Sequence, residues 1–196
     1  TNYGDTSVVV AAANNYIDVV EILLDKGAGF HANGDVNNGV PLLSLAAAEG
    51  HHRLSELLIN KGADINEKAI NGRELTPLGF ASCRGNVDIV QLLLEKGADV
   101  SSRARYGVAP VHCASYAGVL VLVELLLEKG ADVNATDNSD RTALFWAAAC
   151  GHDLLVDFFI PFGHFEVASP DHCHRTPFHY SACYGHLLVF KLSLAP

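Results

Sequence analysis

The chain has 196 residues, 49% of them apolar and 18% charged, with 13 basic against 22 acidic side chains and a formal net charge of −9. That balance excludes an intrinsically disordered or collagen-like chain. The acidic excess also argues against general nucleic-acid or phosphate binding, which shows as a basic surplus.

Self-similarity organises the sequence from end to end. Segments starting at Thr6, Pro41, Thr76, Ala109, Thr142 and Thr176 align, their starts 35, 35, 33, 33 and 34 residues apart. Nine residues after each start stands a turn residue: Asn15, Gly50, Gly85, Gly118, Gly151 and Gly185. An apolar run of helical period follows, closed by Gly27, Gly62, Gly97, Gly130 and, less regularly, Gly163. Each unit therefore reads as two antiparallel helices. A start threonine accepts from the orphan amides of the first turn, and Pro77 or Pro177 sits where its missing N–H costs nothing. Lys26, Lys61, Lys96 and Lys129 complement the dipole of the second helix just before its closing glycine. No unit buries its apolar face alone, so the units must stack.

Along the chain the units differ. The first carries Asn15 in place of the turn glycine. Within the fourth, Gly107 to Leu127 is long enough to span a bilayer and has Glu124 as its one charge. Pro110 and Gly118 divide it, so a buried helix pair is expected instead. In the fifth, Pro161 and His164 to Val167 replace the usual exit. That helix pair is expected to end early, with an irregular loop before Thr176. No methionine occurs, even at residue 1, and neither end resembles a polar cap. The chain is therefore expected to be a piece of a longer protein, and no signal peptide opens it.

Thr76-Pro77-Leu78 and Thr176-Pro177-Phe178-His179, with the exits Gly97-Ala98-Asp99-Val100 and Gly130-Ala131-Asp132-Val133-Asn134, resemble the ankyrin repeat. The resemblance implies an all-α solenoid of helix-turn-helix repeats joined by β-turn or hairpin loops. Its repeats fall at about residues 1–35, 36–69, 70–103, 104–136, 137–169 and 170–196, as one domain. It also implies a concave face of tips and first helices, a convex back of second helices, and a cytoplasmic or nuclear location. Pro41 and Ala109 depart from the pattern where a capping threonine is expected, and Ala143 departs at the proline. The asparaginyl hydroxylase that acts on such repeats favours an exit asparagine with leucine eight residues earlier. Asn66 with Leu58 and Asn134 with Leu126 fit, whereas Ser101 breaks the third site. Asn134, whose side chain is expected to fasten the exit turn, also begins a glycosylation sequon, read here as accidental because the resemblance and the free cysteines both point inside the cell.

No nucleotide-binding loop, nucleophile elbow or zinc-protease histidine pair is present, so no enzyme and no cofactor is expected. Most of the ten histidines have a place in the repeat: His112 and His179 in its first turn, His51, His152 and His186 after the turn residue. Asp171, His172, Cys173 and His174 are metal-ligand types in one tip but lack the second ligand pair that zinc needs. Five cysteines form no paired framework and are read as free thiols, including the neighbouring Cys150 and Cys183. Trp146, the one tryptophan, falls in a slot that holds Val10, Leu45, Phe80, Cys113 and Tyr180 elsewhere. That slot is read as interior.

Charge places the candidate site. Glu21, Asp25, Glu56, Glu95, Glu124, Glu128, Asp153 and Asp157 populate the second helices. Arg73, Arg84, Arg105, Arg141 and Arg175 gather at the tips and first helices, with Tyr106, Tyr116 and Tyr184 beside them. The corresponding places in the first two units hold Asp5, Asn14, Asn38 and Glu49. Arginine with tyrosine is the pairing enriched in binding hot spots. The chain is thus expected to be a monomeric adaptor that takes an acidic extended or helical protein segment, with no membrane insertion. The alternatives are an array sensing a nucleotide or other anion for a flanking domain, and a plain spacer.

Overall fold

The computed structural model describes residues 2–30, 39–160 and 170–186, with side chains from Ser7 onward. Five helix pairs follow one another: α1 (Asn2–Ala13) with α2 (Ile17–Asp25), α3 (Leu42–Ala48) with α4 (His52–Asn60), α5 (Pro77–Arg84) with α6 (Val87–Glu95), α7 (Pro110–Ala117) with α8 (Leu120–Glu128), and α9 (Ala143–Cys150) with α10 (Asp153–Phe159). Helix α11 (Pro177–Cys183) opens the next unit. Each first helix packs on the first helix of the next pair, and α2, α4, α6 and α8 stack behind them. The architecture is an all-α solenoid.

The apparent membrane span resolves into α7 and α8, of 8 and 9 residues. Among the described residues no helix is long and apolar enough to cross a bilayer. As the sequence implies, α10 is short, 7 residues against 9 for the other second helices after α1. The loop expected to be irregular lies outside the described residues.

Small residues carry the stacking. Ala46, Ala47, Ala81, Ala114, Ala147 and Ala148 are buried between first helices, while Leu54, Leu58, Ile89, Leu93, Leu122, Leu126 and Leu155 fill the layer between the helix rows. The turn glycine is forced at Gly118. Its backbone lies at φ +77°, and a Cβ there would stand 2.5 Å from the His152 ring. That ring uses the space: His152 Nε2 meets Tyr116 O at 2.9 Å. His51, Asn86 and His186 likewise reach the carbonyls of Ala13, Ala47 and Ala149. Each supplies a donor to a helix end that lacks one. Val119 holds this position in the fourth unit and has no donor to offer.

The expected threonine caps are realised in part. Thr76 Oγ1 accepts from Gly79 N at 3.3 Å, but the Thr142 side chain makes no capping hydrogen bond. At Thr176 the hydroxyl meets His179 Nδ1 at 2.8 Å instead. The exit asparagine is also corrected. Asp64, Asp99 and Asp132 fasten their own turns by accepting from Asn66 N, Ser101 N and Asn134 N. Asn66 Oδ1 instead accepts from Asp99 N of the next exit, at 2.8 Å. It ties unit to unit.

His112 is fully buried, and both ring nitrogens are used. Nδ1 accepts from Ala109 N at 2.9 Å, so Nε2 carries the proton that Ala135 O accepts at 2.8 Å. Burial pushes its pKa below the ordinary value, and the bond to Ala135 only partly offsets this. A depressed histidine pKa means that the unfolded chain binds the proton first. The resulting loss of stability therefore begins as pH falls past the unfolded value near 6.5 and grows towards the folded one. Denaturant melts between about pH 7.5 and 5.5 are expected to show a smaller drop for His112→Gln than for the native chain. Equal drops would contradict the assignment.

Candidate functional site

The tips are joined by a hydrogen-bonded ladder along one edge of the first-helix row. Ile70 N donates to Gly39 O, Arg105 N to Arg73 O, Asn138 N to Tyr106 O and His172 N to Ser139 O, each at 2.8 to 3.1 Å. Within a tip, Ala104, Asp137 and Asp171 donate their amides to Val108, Arg141 and Arg175. Glu74, Tyr106, Asp140 and His174 adopt positive φ at these bends.

Two cavities lie below the rim, between tips and first helices. The larger, about 580 Å³, has Arg73, Arg105 and Tyr106 along its tip side and Phe80, Cys83, Arg84, Cys113, Tyr116 and Trp146 along its helical side. The smaller, about 250 Å³, is walled by Tyr116, Arg141, Phe145, Trp146, Cys150, Tyr180 and Tyr184. Tyr116 and Trp146 are common to both and meet edge to face, ring centroids 6.2 Å apart. No aspartate or glutamate lines either cavity.

Seven of the eight residues singled out by charge line these cavities. Arg175 lies beside the second, with its guanidinium 4.7 Å from the centre of the Tyr180 ring. Arg105 stands over Tyr106 at 5.2 Å and Arg141 over Trp146 at 5.0 Å. Arginine laid on an aromatic face is a cation–π contact that leaves its fork of donors available.

The arginines are nevertheless not alike. Arg141 donates from Nε to Asp137 Oδ2 at 2.8 Å, and that carboxylate is fully buried. It also accepts from the amides of Ser139 and Arg141. Asp171 repeats the design with Arg175, accepting from the amides of Cys173 and Arg175 and from Tyr180 OH at 2.7 Å. Burial alone would raise the Asp171 carboxyl, but the Tyr180 hydroxyl, the two amides and Arg175 outweigh it and hold the pKa at about 2. Arg141 and Arg175 are thus clamps of their own tips. Arg73, Arg84 and Arg105 are exposed, and no acidic partner holds them among the described residues.

Trp146 is corrected from core to wall. It is half-buried, as are Leu45, Phe80 and Tyr180 in the same slot, and Val10 is 48% exposed. Only Cys113 is buried there. The neighbouring Phe145 takes the interior place and packs on Tyr180 at 5.9 Å. The metal-ligand types of the last tip are otherwise engaged: Asp171 with Arg175, and His172 Nε2 with Asp140 Oδ2 at 2.8 Å. Among the described residues no group of three or more metal-ligand types converges. All five cysteines are free. Asn66 and Asn134 lie exposed at the exit turns, and Asn14 and Glu49 lie exposed on the first two units.

A helical solenoid whose tips and first helices wall two cavities defines a repeat protein that presents an extended surface. Models of ankyrin repeats match it in three copies, over residues 1–69, 43–137 and 111–194, and the chain belongs to the ankyrin-repeat family. A search of the curated proteins found no match. Ankyrin repeats are in general protein–protein interaction modules and typically non-catalytic.

Proposed function

We propose that the chain is a non-catalytic adaptor or scaffold whose groove, from α5 to α11, takes an acidic extended or helical segment of another protein. The carrying observation is the groove's composition: four arginines and no carboxylate in the cavity walls, with Arg175 beside them, in a chain of net charge −9. Tyr106 supports the reading independently. It is 65% exposed yet held at φ +62°, a backbone region that costs a bulky side chain about 1 kcal/mol or more. Stability alone does not favour tyrosine there; a contact surface does. The same reading has the domain act as a monomer inside the cell and bind no nucleic acid.

Arg73, Arg84 and Arg105 around one cavity also favour a second reading, a site for a nucleotide or other small anion that regulates a flanking domain. Trp146 decides between them. As the one tryptophan, shared by both cavities, its fluorescence reports groove occupancy. Titration with glutamate-rich amphipathic peptides is expected to give a saturable, salt-sensitive change. Saturation by nucleoside triphosphates, with none by the peptides, would move the assignment to the second reading.

Asn66 and Asn134 are proposed sites of asparaginyl hydroxylation, on the family pattern and their exposure at the exit turns. Incubation with that hydroxylase is expected to add oxygen at one or both, read by peptide mass. No mass increment would remove the proposal.

A further inference from the structure

We propose that Cys83 is a modification site that exchanges with small disulfides bearing carboxylates and carries the resulting mixed disulfide inside the larger cavity. The argument begins with the five free thiols. Cys173 and Cys183 are exposed, and Cys150 is half-buried with its thiol pushed up by burial. Accessibility alone therefore points to Cys173 and Cys183. Chemistry points elsewhere, because the thiolate is the nucleophile and a positive, partly exposed setting favours it.

Cys83 lies near the C-terminal end of α5, half-buried, with its sulfur towards Cys113 of α7. Both line the cavity of about 580 Å³, together with Arg73 and Arg84. The neighbouring Cys113 side chain, helped by the two guanidinium groups against the opposing effect of burial, holds Cys83 below the usual thiol range. Cys113 is 3% exposed. The nearby Cys83 and its own burial raise it well above that range, so it remains a thiol. One sulfur is poised to react and the other is held back.

The exchange balances without a further oxidant. Cys83 ionises, releasing its proton to water, and its thiolate attacks one sulfur of the small disulfide. A new S–S bond forms as the old one breaks. The other half departs as a thiolate, which takes a proton from water. Arg73, Arg84 and Arg105 surround the space that the bound half would occupy, and carboxylates are the groups that their forks fit. The exchange stands independently of the adaptor reading. That a bound adduct would compete with a protein segment for the cavity follows only if that reading holds.

The full chain, exposed to limiting glutathione disulfide at neutral pH and low salt and then alkylated and mapped by peptide mass, tests this without any protein partner. Cys83 is expected to carry the adduct first, ahead of the more exposed Cys173 and Cys183. Replacing two of the three exposed arginines, Arg73→Gln with Arg84→Gln, should slow the Cys83 reaction by at least about threefold. It should not slow the reaction with cystamine, a cationic disulfide. Cys83→Ser should abolish the leading adduct. The proposal is overturned if Cys173 or Cys183 reacts first. Equal slowing towards both disulfides, or an internal Cys83–Cys113 bond formed with no adduct, would overturn it too.

Discussion

Replacing Arg73, Arg84 and Arg105 together by glutamate is expected to slow association of an acidic peptide by at least about tenfold at low ionic strength, with most of the salt dependence lost. Exposed charges mainly steer encounter, so the effect should appear in the association rate before the dissociation rate. These three side chains are exposed, and individual surface substitutions of this kind change stability by only about 0.5 kcal/mol. Binding and folding can therefore be read separately. Arg141 is a poorer choice for the same test, because reversing it would set a second negative charge against the buried Asp137 carboxylate. Stopped-flow kinetics at several salt concentrations checks the prediction. An unchanged rate in the triple variant would remove the arginine groove as the steering surface.

Asp137→Ala is expected to produce the largest loss of stability in the solenoid rim, about 2–3 kcal/mol. The carboxylate is buried and accepts from two amides and from the Arg141 guanidinium. Removing it strands those donors in a place that water reaches poorly. The Arg141 side chain keeps 30% of its exposure, so its own charge recovers some solvation, which keeps the loss below that of a fully buried pair. Asp137→Asn retains an acceptor and should lose less. For a chain of this size, 1 kcal/mol corresponds to roughly 2–4 °C in Tm, so a thermal melt resolves the two variants. A loss under about 0.5 kcal/mol, the ordinary scale of a surface change, would contradict the clamp.

The helix pairs were legible because they rest on spacing. Turn residues and closing glycines recur at fixed offsets, and each marks a backbone position that few residues fill. Trp146 was not legible. Helix α9 is apolar at every position from Ala143 to Cys150, so no periodicity separates its groove side from its core side. Phe145 and Trp146 are both large and aromatic, and nothing but the packed neighbours shows that Phe145 points inward. The clamps were missed for a different reason. Asp137 and Asp171 stand four residues before Arg141 and Arg175, a helical spacing, yet they meet across a tight bend. The Cys83–Cys113 contact joins neighbouring units that no short motif connects. The signal available was the repeat alignment itself: Cys83 lies seven residues after its unit's start and Cys113 four after the next. Both belong to one helix face, but only packing brings the sulfurs together.

Site-specific photocrosslinking inside cells tests the central claim most directly. A photoreactive residue would be placed singly at Tyr106, Tyr116 or Tyr184 in the groove, and at Asp88, Val121 or Leu154 on the second helices. Tyr106, Tyr116, Tyr184, Val121 and Leu154 are all more than half exposed, so reach does not bias the comparison between the two faces. The groove reading predicts a protein adduct from the three tyrosine positions, weakened by the Arg73, Arg84 and Arg105 reversal, and none from the second helices. Adducts from Val121 and Leu154, with none from Tyr106 or Tyr116, would place the partner on the back and contradict it.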